Sequence, residues 1–198
     1  MTRAALACVL LLLAATARAQ DAAPPVSDEF VGLFNSYCLQ KFPDDDALAT
    51  QALSDRREAL TDAQLKTFLH SDPGQGWVLA GADGKYVLTT ERPPFHACAV
   101  RRYTDQVLDG APFVAAARSF AVARGHSLGP LQTRRTTIGP NIISSAMMLQ
   151  EVDDKGVPTL ETYMFFVVSY PAMAKADGTE GKPFYDIRFV RQIYRQPV

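Results

Sequence analysis

The chain changes its hydrophobic rhythm three times. Between Leu6 and Ala15 apolar residues run almost unbroken. From Phe30 they recur at helical spacing: Phe30, Phe34 and Cys38 fall four apart, with Val31 and Tyr37 beside them. That pattern predicts an amphipathic helix with Cys38 on its buried stripe. Ser27 stands at its capping position, Asp28 and Glu29 occupy its first turn, and Pro43 ends it. The run "DDDALATQALSDRR" from Asp44 predicts a second helix. A third starts at "TDAQLKTFL", opened by Thr61 and Gln64 in capping-box spacing. "HSDPGQG" (70–76) breaks it.

From Trp77 the period shortens to two. Asp83-Gly84 between apolar runs predicts a two-residue hairpin turn. Pairing Ala82 with Lys85 puts Trp77, Leu79, Tyr86 and Leu88 on one face and sets Gly81 opposite the Tyr86 ring. "ACAVRRY" (97–103) predicts a third strand. A helix over about 111–124 follows, with Pro112 in its first turn, Gly125 past its end and Phe113, Ala117 and Phe120 on its core face. Strands are expected at about 131–138, 142–151, 160–170 and 184–194. "YMFFVVSY" (163–170) is apolar on both alternations, the mark of a central strand covered on both faces. The sum is an α+β domain over 27–198: N-terminal helices followed by an antiparallel sheet, ββ(β)-α-ββββ, with a packed helix.

The first apolar run has a different meaning. Arg3 precedes it, it is about half the length that spans a bilayer, and Ala17-Arg18-Ala19 follows as a cleavage site. Residues 1–19 therefore read as a signal peptide cleaved near Ala19, and 20–26, "QDAAPPV", as a disordered lead. About 178 residues remain, enough for one hydrophobic core. Export predicts a periplasmic or secreted protein, and no later run has the length for stable membrane insertion. Removing Arg3 and Arg18 from the 20 Lys and Arg leaves 18 against 21 Asp and Glu. With no basic block and no Lys/Arg interleaved with aromatics, nucleic acid is not expected as a partner.

Cys38 and Cys98 are the cysteines left after Cys8. In an oxidising compartment they are expected to pair. A competing reading starts from His96, two places before Cys98, where a strand would point both side chains the same way. An imidazole beside a thiolate activates a nucleophile, and such a pair can begin a metal site. No CxxC or HxxxH spacing supplies further ligands, so the bridge is the expectation and no metal is expected. G-x-S-x-G, S-x-x-K, H-E-x-x-H, phosphate-binding and calcium loops are all missing, so neither a cofactor nor a catalytic constellation is expected.

Other candidates are weighed against structural roles. Arg191 interrupts the apolar row Tyr185, Ile187, Phe189, Ile193, so it either pairs with a buried carboxylate (Glu91, Asp153, Glu161 or Asp186) or lines an anion pocket. Trp77 belongs either to the core or to a ligand cavity. His70 and His126 are expected against the last carbonyls of the helices they follow. Two functional readings result. The first is an exported non-catalytic protein that binds a small ligand, a peptide or an envelope partner. The alternative is an exported hydrolase-like enzyme with His96 as base and Arg101 or Arg102 stabilising an anion.

F-x-x-x-F-x-x-x-C in the first helix, G-W before a Y-V-L strand and then C-A-V resemble small uncharacterised exported proteins of Gram-negative bacteria over residues 28–103. The resemblance implies a periplasmic or secreted protein with a Cys38–Cys98 bridge, and it implies no activity.

Overall fold

A computed structural model describes residues 24–93, 95–136, 141–152, 156–172, 179 and 181–195. The expected signal peptide and residues 20–23 lie outside the described residues. Helix α1 (Asp28–Phe34) starts where the Ser27 hydroxyl accepts the Phe30 N–H at 3.2 Å. It runs on into a π-helical turn, Asn35–Leu39, which buries Tyr37, Cys38 and Leu39 in succession. Helix α2 (Asp45–Ser54) is capped by Asp44, and α3 (Asp62–Leu69) by the Thr61–Gln64 capping box. The lead departs from expectation. Val26 is buried, its N–H donates to the Asp109 carbonyl at 3.0 Å, and the Asp109 N–H donates to Pro24 at 2.7 Å. An apolar side chain and two backbone bonds hold Pro24–Val26 in place.

The strands are β1 (Glu58–Ala59), β2 (Gly74–Gly81), β3 (Gly84–Glu91), β4 (Phe95–Thr104), β5 (Gln132–Thr136), β6 (Asn141–Val152), β7 (Pro158–Tyr170) and β8 (Phe184–Arg195), with α4 (Ala111–Ala123) between β4 and β5. They form one antiparallel sheet in the order β1-β2-β3-β4-β8-β7-β6-β5. Two meanders thus join where β8 returns to β4. The α+β class follows directly from the alternation of periods in the sequence.

One register differs from the expected one. Gly81 pairs with Gly84 and Leu79 with Tyr86, so the turn residues are Ala82 and Asp83. The cause lies in α1. The Glu29 carboxylate accepts the N–H groups of Asp83 at 3.0 Å and Ala82 at 2.8 Å, bonds that hold its pKa below the usual value. A Cβ at Gly81 would stand 2.5 Å from a Glu29 oxygen, and Gly84 has φ +129°. The two-residue shift keeps every side chain on its expected face.

One face of the sheet is covered by α1 and α4. Phe189 of β8 is the hub: its ring stacks on Phe30 at 4.4 Å and Phe113 at 4.3 Å, with Phe165 at 5.2 Å and Phe34 at 5.9 Å. Cys38 and Cys98, both buried in this layer, are joined by a disulfide with Cα atoms 5.4 Å apart. A buried bridge is the mark of an oxidising, extracytoplasmic compartment. Among the described residues no helix is long and apolar enough to cross a membrane.

Candidate functional site

Strand alternation divides β4 between two environments. Cys98 and Val100 enter the helix-covered core, while Ala97, Ala99 and Arg101 stand on the opposite face. On neighbouring β8 the same alternation sends Ile187 and Phe189 into the core and Asp186, Arg188, Val190 and Gln192 to that second face. Helix α3 lies over the β2–β3 end of this face, with Leu69 against Gly74 and Leu65 against Gly76. Phe68 of α3 and His70 lean over one side only. Met164 and Phe166 of β7 pack there against Ala97, Ala99 and Val190 and are only half-buried. The strand "YMFFVVSY" is therefore central, as expected; on its second face Val168 is buried while Met164 and Phe166 are half-buried.

The two alanines make this face concave. Their short side chains leave a cavity of about 260 Å³ between Thr89 and Glu91 on one side and Arg188, Val190 and Gln192 on the other. Arg101 lines it and is only 6 % exposed. Its guanidinium lies over the Phe68 ring at 4.7 Å, and its Nε is buried without a hydrogen-bond partner. Arg188 stands directly opposite Arg101 in the β4–β8 ladder. Two described carboxylates stand near the two guanidiniums, Glu91 across the cavity and Asp186, whose Oδ1 is buried without a hydrogen-bond partner. Asp186 Oδ2 accepts from Arg188 at 2.6 and 2.8 Å and stays 3.8 Å from Arg101 Nη1. Burial first, and the Arg188 charge second, push the Arg101 pKa down; a guanidinium nonetheless keeps its proton.

Glu91 faces the same cavity, and burial, reinforced by Asp72, raises its pKa. A carboxyl whose folded pKa exceeds its unfolded value is protonated in both states at low pH and opposes folding once the pH ionises it. Glu91→Gln is therefore expected to raise the melting temperature at pH 7. The gain should vanish near pH 3, below the ordinary glutamate pKa of about 4.3. Thermal melts of both proteins at the two pH values check this; an equal shift at both would contradict it.

No protein-family model matches the chain, and no curated protein or solved structure is similar to it. What the site does has to be argued from its own residues.

The residues singled out in the sequence do not form one site. Cys98 is half of the disulfide and carries no free thiol. His96 points to the helix-covered side, its Nε2 3.1 and 3.2 Å from the two Asp45 oxygens and its ring edge-on to Phe42. It borders a separate cavity of about 410 Å³ with Pro43, Pro93, Ile193 and Arg195, where no described side chain is a hydroxyl or thiol. Arg101 lies on the other face of the sheet. Arg102 shares the face of His96 but is six residues along, about 20 Å away, donating to the Asp83 carbonyl and lying over Tyr86. His96 is thus not brought together with either arginine.

Arg191 is structural. Its Nε donates to Glu161, and its Nη1 donates to the carbonyls of Cys38, Leu39 and Phe42 at 3.0, 3.1 and 2.6 Å. Those carbonyls are left over where the first helix ends, so the guanidinium caps it. Trp77 is buried in the helix-side core opposite Leu88. His126 makes the expected helix-end contact through its backbone, its N–H donating to the Ala121 carbonyl at 2.9 Å, while its Nε2 lies 2.9 Å from Glu151 of β6. No group of three or more His, Cys, Asp or Glu is placed to hold a metal among the described residues.

Arg188 and the alanine pair escaped the sequence reading, and Asp186 entered it only as a candidate partner of Arg191. The signal was present in "ACAVR" and "YDIRFVRQ", where one alternation is small or polar and the other apolar. Only the pairing of β4 with β8, some 90 residues apart in the chain, puts the two polar rows side by side.

Proposed function

We propose that this is an exported, non-catalytic binding protein whose small ligand sits on the open face of the sheet, over Ala97, Ala99, Val190 and Met164. The asymmetry of the two faces carries the reading. One face is filled by a stapled aromatic core, and the other bears a small cluster of buried short side chains, Ala97, Ala99 and Val190, flanked by half-buried Met164 and Phe166 around a cavity with a buried cation. Ligand sites are typically concave, mostly apolar and fitted with a few convergent polar groups. The buried disulfide supports an extracytoplasmic setting, and the N-terminal sequence supports arrival in the periplasm or medium after cleavage near Ala19. The hydrolase-like alternative has His96 in a cavity beside the Asp45 carboxylate at 3.1 Å, but the separation of His96 from Arg101 and Arg102 removes the arginine it calls for.

The test is an NMR titration of the chain starting at Gln20 with 1-octanol, a small uncharged probe. Amide shifts centred on Ala97, Ala99, Val190 and Gln192 are expected. Shifts confined to the helical layer or to the His96 cavity, or none at millimolar probe, would overturn the reading.

A further inference from the structure

The ligand's chemistry can be taken one step further, an inference that rests on the open-face reading. Arg101 is buried beside a second guanidinium, its Nε has no partner, and Asp186 Oδ2 is already engaged by Arg188. An unsatisfied buried donor on a cation is costly, and a carboxylate is the group whose geometry answers a guanidinium. The remainder of the cavity floor, Ala97, Ala99 and Val190 with Met164 and Phe166 alongside, offers apolar surface. About 260 Å³ is a small space, which suits a small ligand or one end of a longer one. β3, β4, β8 and β7 are each paired on both sides, so their ladders leave no strand edge here for a peptide backbone to join.

We propose that the open-face groove takes a small amphiphilic carboxylate of medium alkyl chain length, its head on Arg101 beside Arg188 and its chain across Ala97, Ala99 and Val190. Glu91 borders the same groove, so protonating it on acidification removes a like charge from beside the bound head.

Calorimetric titrations with octanoate, octanol, octyltrimethylammonium and N-acetyl-leucyl-leucine test the assignment on the chain starting at Gln20. Octanoate is expected to bind at least tenfold more tightly than octanol, and the cation not at all. Arg101→Met should remove that preference while leaving octanol affinity unchanged. Should this variant fail to fold, wild-type protein with carboxyl-¹³C octanoate gives the same answer: the bound carboxyl should titrate below its free value. Equal binding of octanoate and octanol, or an unshifted carboxyl, overturns the carboxylate and leaves the open-face reading standing. Tighter binding of the acetylated dipeptide than of octanoate overturns the alkyl chain. Absence of binding by all four, together with no probe-induced shifts on the open face, removes both readings.

Discussion

Glu161→Gln is expected to destabilise the protein by about 3–5 kcal/mol at pH 7, the cost of breaking a buried ion pair from one side. Glu161 is buried on β7 and accepts from Arg191 Nε, from Arg124 Nη1 at 2.9 Å and from the Tyr163 hydroxyl at 2.6 Å. Neutralising it leaves Arg191 buried between Phe42 and Phe120 without a counter-charge, still holding the carbonyls that end the first helix. The effect reaches from β7 to the N-terminal layer through one guanidinium. Replacing both partners, Glu161→Leu with Arg191→Met, should cost less than the sum of the two single changes, because the buried guanidinium leaves together with its counter-charge. Acid dependence carries a second signature. Burial alone would raise the Glu161 pKa, but the Arg191 charge, followed by the hydrogen bonds from Tyr163 and Arg124, outweighs it and lowers the value. Its stabilisation is therefore complete above the unfolded glutamate pKa of about 4.3 and is lost as the pH falls through the lower folded value. Urea unfolding at pH 7 and across pH 5 to 2.5 reads both effects. A loss under about 0.5 kcal/mol for Glu161→Gln, within the range of ordinary surface changes, would contradict this account.

The disulfide is the second large contributor. Cys38 and Cys98 are 60 residues apart, and closing a loop of that length stabilises the folded state by about 4 kcal/mol on the chain-entropy model. The bridge pins the π-helical turn to the middle of β4, directly beneath the groove. Paired Cys38→Ala and Cys98→Ala substitutions should lower the urea midpoint accordingly. Alkylation of the denatured chain starting at Gln20 should find no free thiol before reduction and two after. Two labels before reduction would remove the bridge and return Cys98 and His96 to the list of reactive pairs.

Much of this was legible in the residues themselves. The capping box at Thr61 and the apolar rows of β4 and β8 are local patterns that formed as their spacing dictates, and the four-residue stripe through Cys38 is buried as expected although its last turn is π-helical. Arg191 was legible as a conflict, a charge inside an apolar row, with Glu161 among four candidate carboxylates. Choosing among them required knowing that β7 adjoins β8. Register at the hairpin was misjudged because its decisive contact, Glu29 on Ala82 and Asp83, comes from more than 50 residues away. The groove was hidden for the same reason: it depends on small residues of one strand lying next to charged residues of another. Long-range strand order sets such sites, and composition does not record it.

The central claim, that one sheet face is sealed and the other left for a ligand, is tested most directly by methionine oxidation. Met147 lies fully buried in the helix-side core, Met148 is 39 % exposed, and half-buried Met164 lines the groove. Peroxide treatment of the folded protein, followed by peptide mass spectrometry with and without octanoate, reports each separately. The account predicts that Met148 and Met164 oxidise while Met147 resists, and that octanoate slows oxidation of Met164 and leaves Met148 unaffected. Met164 as resistant as Met147 would mean the second face is sealed as well, and the binding reading would fall with it.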